Sequence, residues 1–271
     1  MAATTHPHSN ILAVIRIAAS KKFMRRQSFS FLFRNALLVV SLLSVIGCAI
    51  VAPQQTKRAP QASPTPAPTL QPKPSEGEAV TRSTSDPYTG DLSIFESPDR
   101  DQKLQIERVM DVLGIKEGKN VADIGAGSGW FTVRAARRVG STGAVYAVEI
   151  NQDYVKHIED RAAKEKLSNI RTVLGKEDDP MLPERSVDAV LILKTYHEIS
   201  QPIRVLTRLR AALRAGARVG IIDRAGKGDD HGIDRDTVVK EAERAGFTLV
   251  EEYDFVKPDN MDYFLVFQAR K

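Results

Sequence analysis

Cysteine is almost missing from this sequence: its 271 residues include one, Cys48. A single thiol excludes an intrachain disulfide, a thiolate zinc site and an iron–sulfur cluster, all of which need several cysteines. Acid is missing from the first 58 residues, which carry eight Lys or Arg and neither Asp nor Glu. That segment contributes +8 to a net charge of +5, so the other 213 residues sum to −3. The basic excess thus belongs to the leader, and the remainder lacks the positive surplus that non-specific nucleic-acid binding draws on. The leader's uncharged run, residues 36–51, is sixteen residues long. That is short of the roughly 20 a membrane-spanning helix requires.

What the leader does contain is a basic stretch (Lys21, Lys22, Arg25, Arg26, Arg34) running into that apolar segment, the charge order of an export signal, with Met24 an alternative start. Val45-Ile46-Gly47-Cys48 resembles a bacterial lipoprotein box, which implies lipidation of Cys48 and a membrane-anchored, exported protein. An uncleaved anchor helix is the alternative. Either form places the remainder of the chain outside the cytoplasm, because flanking positive charges stay inside; a mis-assigned start would leave it cytoplasmic. Residues 52–85 hold seven of the fourteen prolines among Ser, Thr, Gln and Ala. This composition predicts an unstructured, partly polyproline II tether, which at about 3.1 Å per residue reaches roughly 100 Å. Residues 86–271 are then long enough for one well-buried core.

Within 86–271, apolar runs of strand length alternate with amphipathic stretches. A helix over Asp101 to Leu113 puts Ile106, Val109, Met110 and Leu113 on one face. Strands are predicted at 120–124, 144–150, 169–174, 187–193 and 217–223, with helices at 130–139, 151–166, 202–214 and 234–245 between and after them. Two last strands, 248–254 and 262–267, join through Lys257-Pro258-Asp259-Asn260. The alternation implies an α/β fold: a single domain with a doubly wound, mostly parallel seven-stranded sheet, closed by a C-terminal antiparallel hairpin.

The most informative stretch is Asn120 to Thr132, N-V-A-D-I-G-A-G-S-G-W-F-T. An apolar strand turns through Gly125, Gly127 and Gly129 into a helix whose first N–H groups are free to meet an anionic ligand. The loop is suited to a nucleotide-like cofactor. A nicotinamide dinucleotide fingerprint, G-x-G-x-x-G, would need glycine where Trp130 stands. The run D-x-G-x-G-x-G, from Asp123, instead resembles the first motif of class I, Rossmann-like S-adenosylmethionine-dependent methyltransferases. That resemblance implies S-adenosylmethionine as cofactor, with Asp123 facing its methionine end through water. Radical chemistry on this cofactor is excluded by the cysteine count, which leaves polar methyl transfer.

The resemblance extends along roughly residues 100–270 and implies further roles. Glu149 ends the second strand, where the family places an acid that accepts both ribose hydroxyls. Relatives read G-D-A near the adenine, whereas this chain reads Gly175-Lys176-Glu177, so Glu177 or Asp178 must stand in for the adenine-contacting acid. Asp188 is a structural residue at the start of the fourth strand. Lys194-Thr195-Tyr196-His197-Glu198 follows that strand, the edge at which open α/β sheets meet ligands. His197 is the candidate general base, its ordinary pKa near 6.5 suiting proton removal from a hydroxyl or amine. Tyr196 is expected to pack on the cofactor or its sulfonium. L-R-A-A-L-R-A-G-A-R-V resembles the family's L-K-P-G-G-R-L stretch, with Ala215 and Ala217 replacing Pro and the second Gly.

Neither N-P-P-Y nor D-P-P-Y follows the fourth strand, which argues against base methylation. The cysteine count likewise disfavours arsenite methylation and cytosine C5 chemistry. Asp229-Asp230-His231 reads as a solvated loop, and Lys194 stands where catechol-type enzymes place a carboxylate, so no metal is expected. The sequence thus implies a methyltransferase acting on a small molecule by direct displacement, without nucleic-acid partners and held to the membrane through its N-terminus. A non-catalytic exported module on the same fold is the alternative, since the cofactor is made in the cytoplasm. For the anchor, Cys48→Ser is expected to abolish metabolic lipid labelling and leave an uncleaved precursor; unchanged labelling or processing would count against the lipoprotein box.

Overall fold

A computed structural model describes residues 81–271; the expected export signal, Cys48 and the proline-rich segment up to residue 80 lie outside the described residues. Seven strands, β1 (Asn120–Ile124), β2 (Ala144–Glu149), β3 (Ile170–Leu174), β4 (Val187–Leu193), β5 (Leu213–Asp223), β6 (Phe247–Tyr253) and β7 (Tyr263–Ala269), form one sheet ordered β3-β2-β1-β4-β5-β7-β6. The first five strands are mutually parallel, while β7 pairs antiparallel with both β5 and β6. The expected C-terminal hairpin therefore forms, but its second strand inserts beside β5 and its first becomes the outer edge.

Six helices cover the sheet: α1 (Arg100–Leu104), α2 (Ile106–Val112), α3 (Trp130–Val139), α4 (Gln152–Lys164), α5 (Pro202–Ala212) and α6 (Arg235–Arg244). Their ends follow local chemistry. Asn151 caps α4 by accepting from the Asp153 N–H at 2.9 Å, and Pro202 opens α5, where its missing N–H is not needed. The helix expected over 101–113 is broken by Gln105, whose left-handed backbone (φ 52°) lets its side chain donate to the Phe255 carbonyl at 3.1 Å. The fifth strand starts at Leu213 rather than Ala217. With Ala at 215 no proline interrupts it, and a register shift between Val187↔Leu213 and Ala189↔Arg218 absorbs the extra residues.

Alternate residues of the strands feed two cores on opposite faces of the sheet. Val121, Val145, Leu191, Ile222 and Val266 pack with α1, α2 and α3. Ala122, Val148, Val190, Ile221 and Leu265 pack with α5 and α6. Asp188 does structural work as expected, accepting from the Asn120 N–H at 2.9 Å and lying 2.8 Å from the Arg214 guanidinium. These donors and cations hold its carboxyl below the usual range against the opposing effect of burial. No helix among the described residues is long and apolar enough to cross a membrane.

Packed chain begins before the expected start at Asp86. The Arg82 N–H donates to the Ser200 carbonyl at 3.0 Å, and its guanidinium bonds Glu241 at 2.7 Å and the Tyr196 carbonyl while lying over the Tyr196 ring. The Arg82 and Glu241 side chains are only 12% and 9% exposed. Removing one partner of a buried pair strands the other charge. Arg82→Ala is therefore expected to lower unfolding free energy in urea by about 3 kcal/mol, part of which Glu241→Gln in that background should restore. An unchanged midpoint in Arg82→Ala would contradict this anchoring role.

Candidate active site

Chain order reverses between β1 and β4, so their connections leave in opposite directions and open a crevice at the carboxyl end of the sheet. A cavity of about 750 Å³ fills it. Its wall includes Asp123, Gly125, Gly127, Glu149, Glu177, His197, Glu198 and His231. The size suits a small-molecule cofactor together with a substrate.

The glycine loop forms the floor. The Gly125 and Ala126 N–H groups donate to the Val148 carbonyl at 2.9 and 3.1 Å, which ties the loop to β2. The Gly127 N–H donates to Glu149 Oε2 at 2.9 Å, and the Ile150 N–H to Oε1 at 2.8 Å. Glu149 is thus held at the lip of the cavity with a lone pair remaining on each oxygen. At Gly127 the backbone is left-handed (φ 53°), and a Cβ there would find no protein atom nearer than the Phe95 ring at 3.9 Å. The space above this residue is cavity, as close approach of a ligand to bare backbone requires. Gly125, also at positive φ, has no room for a side chain, because a Cβ would lie 2.2 Å from the Thr195 methyl.

Asp123 is 2% exposed and accepts from the Thr132 hydroxyl at 2.6 Å. Burial, reinforced by the nearby Glu149 charge, lifts its carboxyl to about 7 despite that hydrogen bond. A cation brought alongside would ionise it. Trp130, at the position where a dinucleotide fingerprint has its third glycine, is buried between the guanidinium groups of Arg100 and Arg134, 4.4 and 4.0 Å from its ring centre.

At the opposite end, His197 is buried on the 3-10 turn Tyr196–Glu198. Its Nδ1 donates to Asp223 at 2.9 Å, and its backbone N–H to the same carboxylate at 3.1 Å. This bond fixes the tautomer in which Nε2 carries a lone pair. Glu198 Oε1 lies 3.8 Å from that nitrogen, and burial raises its carboxyl to about 6. The His231 ring stands perpendicular to that of His197 with centres 6.0 Å apart, so the loop read as solvated returns to the cavity.

Three expected site residues are placed elsewhere. Gly129, at the start of α3, is absent from the cavity wall, and a Cβ there would meet Ile158 of α4 at 3.3 Å. Tyr196 does not meet the cavity: fully buried, it donates its hydroxyl to Glu241 at 2.8 Å, on the face opposite its neighbour His197. A 3-10 turn sends consecutive side chains in different directions, and here the large apolar ring takes the core position. Asp178 is drawn to Arg204 at 2.8 Å and is absent from the cavity wall, leaving Glu177 as the one of the two acids that lines it. Asp223 and the segment Thr84–Phe95 were not singled out from sequence. Asp223 is legible in retrospect as the acid ending the fifth strand. Tyr88 and Phe95, whose rings meet edge to face at 5.4 Å, line the cavity, and the Tyr154 hydroxyl secures the segment by donating to the Tyr88 carbonyl at 3.1 Å.

Known proteins share this framework. Residues 121–216 match a family described as methyltransferase domain. Aklanonic acid methyltransferase DauC of Streptomyces sp. (strain C5) is 31% identical over 41% of this chain and 51% of its own length. Nocamycin O-methyltransferase of Saccharothrix syringae is 29% identical over 42% of this chain and 41% of its own. The chain thus spans about half, or less, of these curated relatives. A solved SAM-dependent methyltransferase from Aquifex aeolicus superposes with a TM-score of 0.58 and 25% identity, covering 67% of this chain and 98% of the other. The [4+2]-cyclase SpnF, at a TM-score of 0.54 and 15% identity, shares the fold alone. Glycine loop, strand-end acid and sheet order are thus all in place where residues 121–216 match the methyltransferase domain family, on the fold of a SAM-dependent methyltransferase, which implies S-adenosylmethionine as cofactor.

Proposed function

We propose that this protein transfers a methyl group to a small-molecule acceptor. The observation that carries the reading is the Glu149 carboxylate, fixed by the Gly127 and Ile150 N–H groups at the lip of a cavity on the carboxyl side of β1 and β2. Its remaining lone pairs suit two vicinal ribose hydroxyls. Gly127 leaves room for a ligand against the backbone, Asp123 suits the cofactor's ammonium group, and Glu177 lies on the adenine side. Bound S-adenosylmethionine supplies an electrophilic methyl group for direct displacement.

The chain's own contribution is position and proton handling. The acceptor enters over Tyr88, Phe95 and Ile199, apolar walls that exclude water. His197 Nε2 takes the proton of an acceptor hydroxyl or amine, and Asp223 stabilises the imidazolium that forms. A small-molecule acceptor is also supported by the names of the relatives, which include a nocamycin O-methyltransferase and a ubiquinone/menaquinone biosynthesis C-methyltransferase. The leader adds the proposal of an exported, membrane-anchored enzyme lipidated on Cys48.

Calorimetry on the full chain tests the cofactor site. S-adenosylmethionine and S-adenosylhomocysteine are expected to bind and NAD not to. Glu149→Ala should weaken binding roughly 10- to 100-fold, since hydrogen bonds to a charged group contribute about 1.5–3 kcal/mol. Gly127→Val should weaken it further, by filling the cradle and resisting positive φ. A folded protein that binds neither ligand would favour the non-catalytic module. For the proton, S-adenosylhomocysteine release is measured over a panel of phenol, alcohol and amine acceptors. His197→Ala should cut turnover by about 10²- to 10⁴-fold with cofactor affinity nearly unchanged. A loss confined to cofactor binding would make His197 a lining residue only.

A further inference from the structure

His197, Glu198 and His231 each bring one donor atom to within 4.8 Å of the others, all on the wall of the same cavity. Two are fixed by the 3-10 turn after β4. The third comes from the loop after β5, which is itself well tied. The Ile233 N–H donates to the Arg224 carbonyl at 2.8 Å, the Gly228 N–H to the Gly232 carbonyl at 2.7 Å, and the His231 N–H to Ser85 Oγ at 3.1 Å. An independent observation points to a ligand: the Asp223 carboxylate, itself fully buried, sits on Nδ1 of His197 and aims the free Nε2 at the other two donors. A carboxylate behind the far nitrogen is the partner that metal-ligating histidines regularly have.

We infer that His197, Glu198 and His231 bind one divalent transition-metal ion, with its remaining coordination positions open to the cavity. Two imidazoles and a carboxylate are the protein ligands of one class of open zinc site and of facial-triad iron sites, whereas magnesium and calcium prefer all-oxygen surroundings. Glu198 and Asp223 together offset the ion's double charge. A tetrahedral zinc with bonds near 2.0–2.1 Å needs its donors about 3.4 Å apart, so no gap between them must close by more than about 1.4 Å. Glu198 and His231 are the less buried members and make that adjustment by side-chain rotation, while His197 stays on Asp223. Nε2 holds a proton or an ion but not both, so proton acceptance by His197 describes the ion-free site. The site itself does not depend on the methyl-transfer reading, because its donors belong to this chain and its test reads metal.

The full chain, stripped with a chelator, is titrated with Co(II) followed by visible absorption and with Zn(II) by calorimetry. S-adenosylhomocysteine binding is measured on the same samples, so that failure of the metal site and failure of the cofactor reading are told apart. The expected result is one equivalent of Co(II) with the d–d bands of a four- or five-coordinate ion, displaced by Zn(II). His231→Ala and Glu198→Gln should each lose at least tenfold in affinity, and Asp223→Asn about 10- to 100-fold. His231 is exposed, so its variant reports on the site without disturbing the core. Absence of saturable binding at one equivalent would overturn the inference. So would equal affinity in wild type and His231→Ala, which would place the ion elsewhere, for instance on His6 and His8.

Discussion

Three acids at the carboxyl ends of parallel strands, Asp123, Glu149 and Asp223, are buried without an arginine or lysine partner among the described residues. Burying a carboxylate is costly unless donors replace its water, and here the donors are a hydroxyl, an imidazole and backbone N–H groups from the loops that follow the strands. Each acid therefore dictates the path of a loop. Glu149 holds the glycine turn, Asp123 the first turn of α3, and Asp223 the 3-10 turn that carries His197. The cavity is the space these three arrangements leave, so its shape and its chemistry have a common origin. Because the donors are neutral, the site retains negative charge to offer a sulfonium, an ammonium or a metal cation.

Much of this was legible in the sequence because it was periodic or local. The Asn120–Thr132 stretch signals strand, turn and helix within thirteen residues, and α3 and β4 have the bounds expected of them. Glu149 was readable from its place at a strand end. Features that depend on direction or on distant partners were not. Tyr196 and His197 are adjacent, and nothing local says which faces the core; the answer lies in Glu241 and Arg82, 45 and 114 residues away from Tyr196. Asp178 and Glu177 were equivalent until α5 brought Arg204 to one of them. The insertion of β7 between β5 and β6 is a property of topology that alternation alone does not specify.

The fold is shared more widely than the chemistry, as the likeness to a [4+2]-cyclase illustrates. At one end of the cavity stand a histidine backed by a buried acid, a second histidine from the following loop, and a glutamate within 4.8 Å of both. Lys194 adds a left-handed backbone (φ 54°) at the same strand end, and burial, with Arg100 nearby, depresses its ammonium pKa. Such concentrations of uncommon backbone and shifted titrations are typical of places where a protein does chemistry.

Arg82 has a mechanical consequence. Beyond this residue the chain runs past the cavity as the Thr84–Phe95 segment, held by Ser85 on Gly228, by Tyr154 and by contacts between its own rings. A pull on the preceding chain meets the buried Arg82–Glu241–Tyr196 cluster first, so the segment behind it carries no tension until that cluster gives way. Arg82 works as a strain relief, isolating the wall of the cavity from forces on the chain that precedes it.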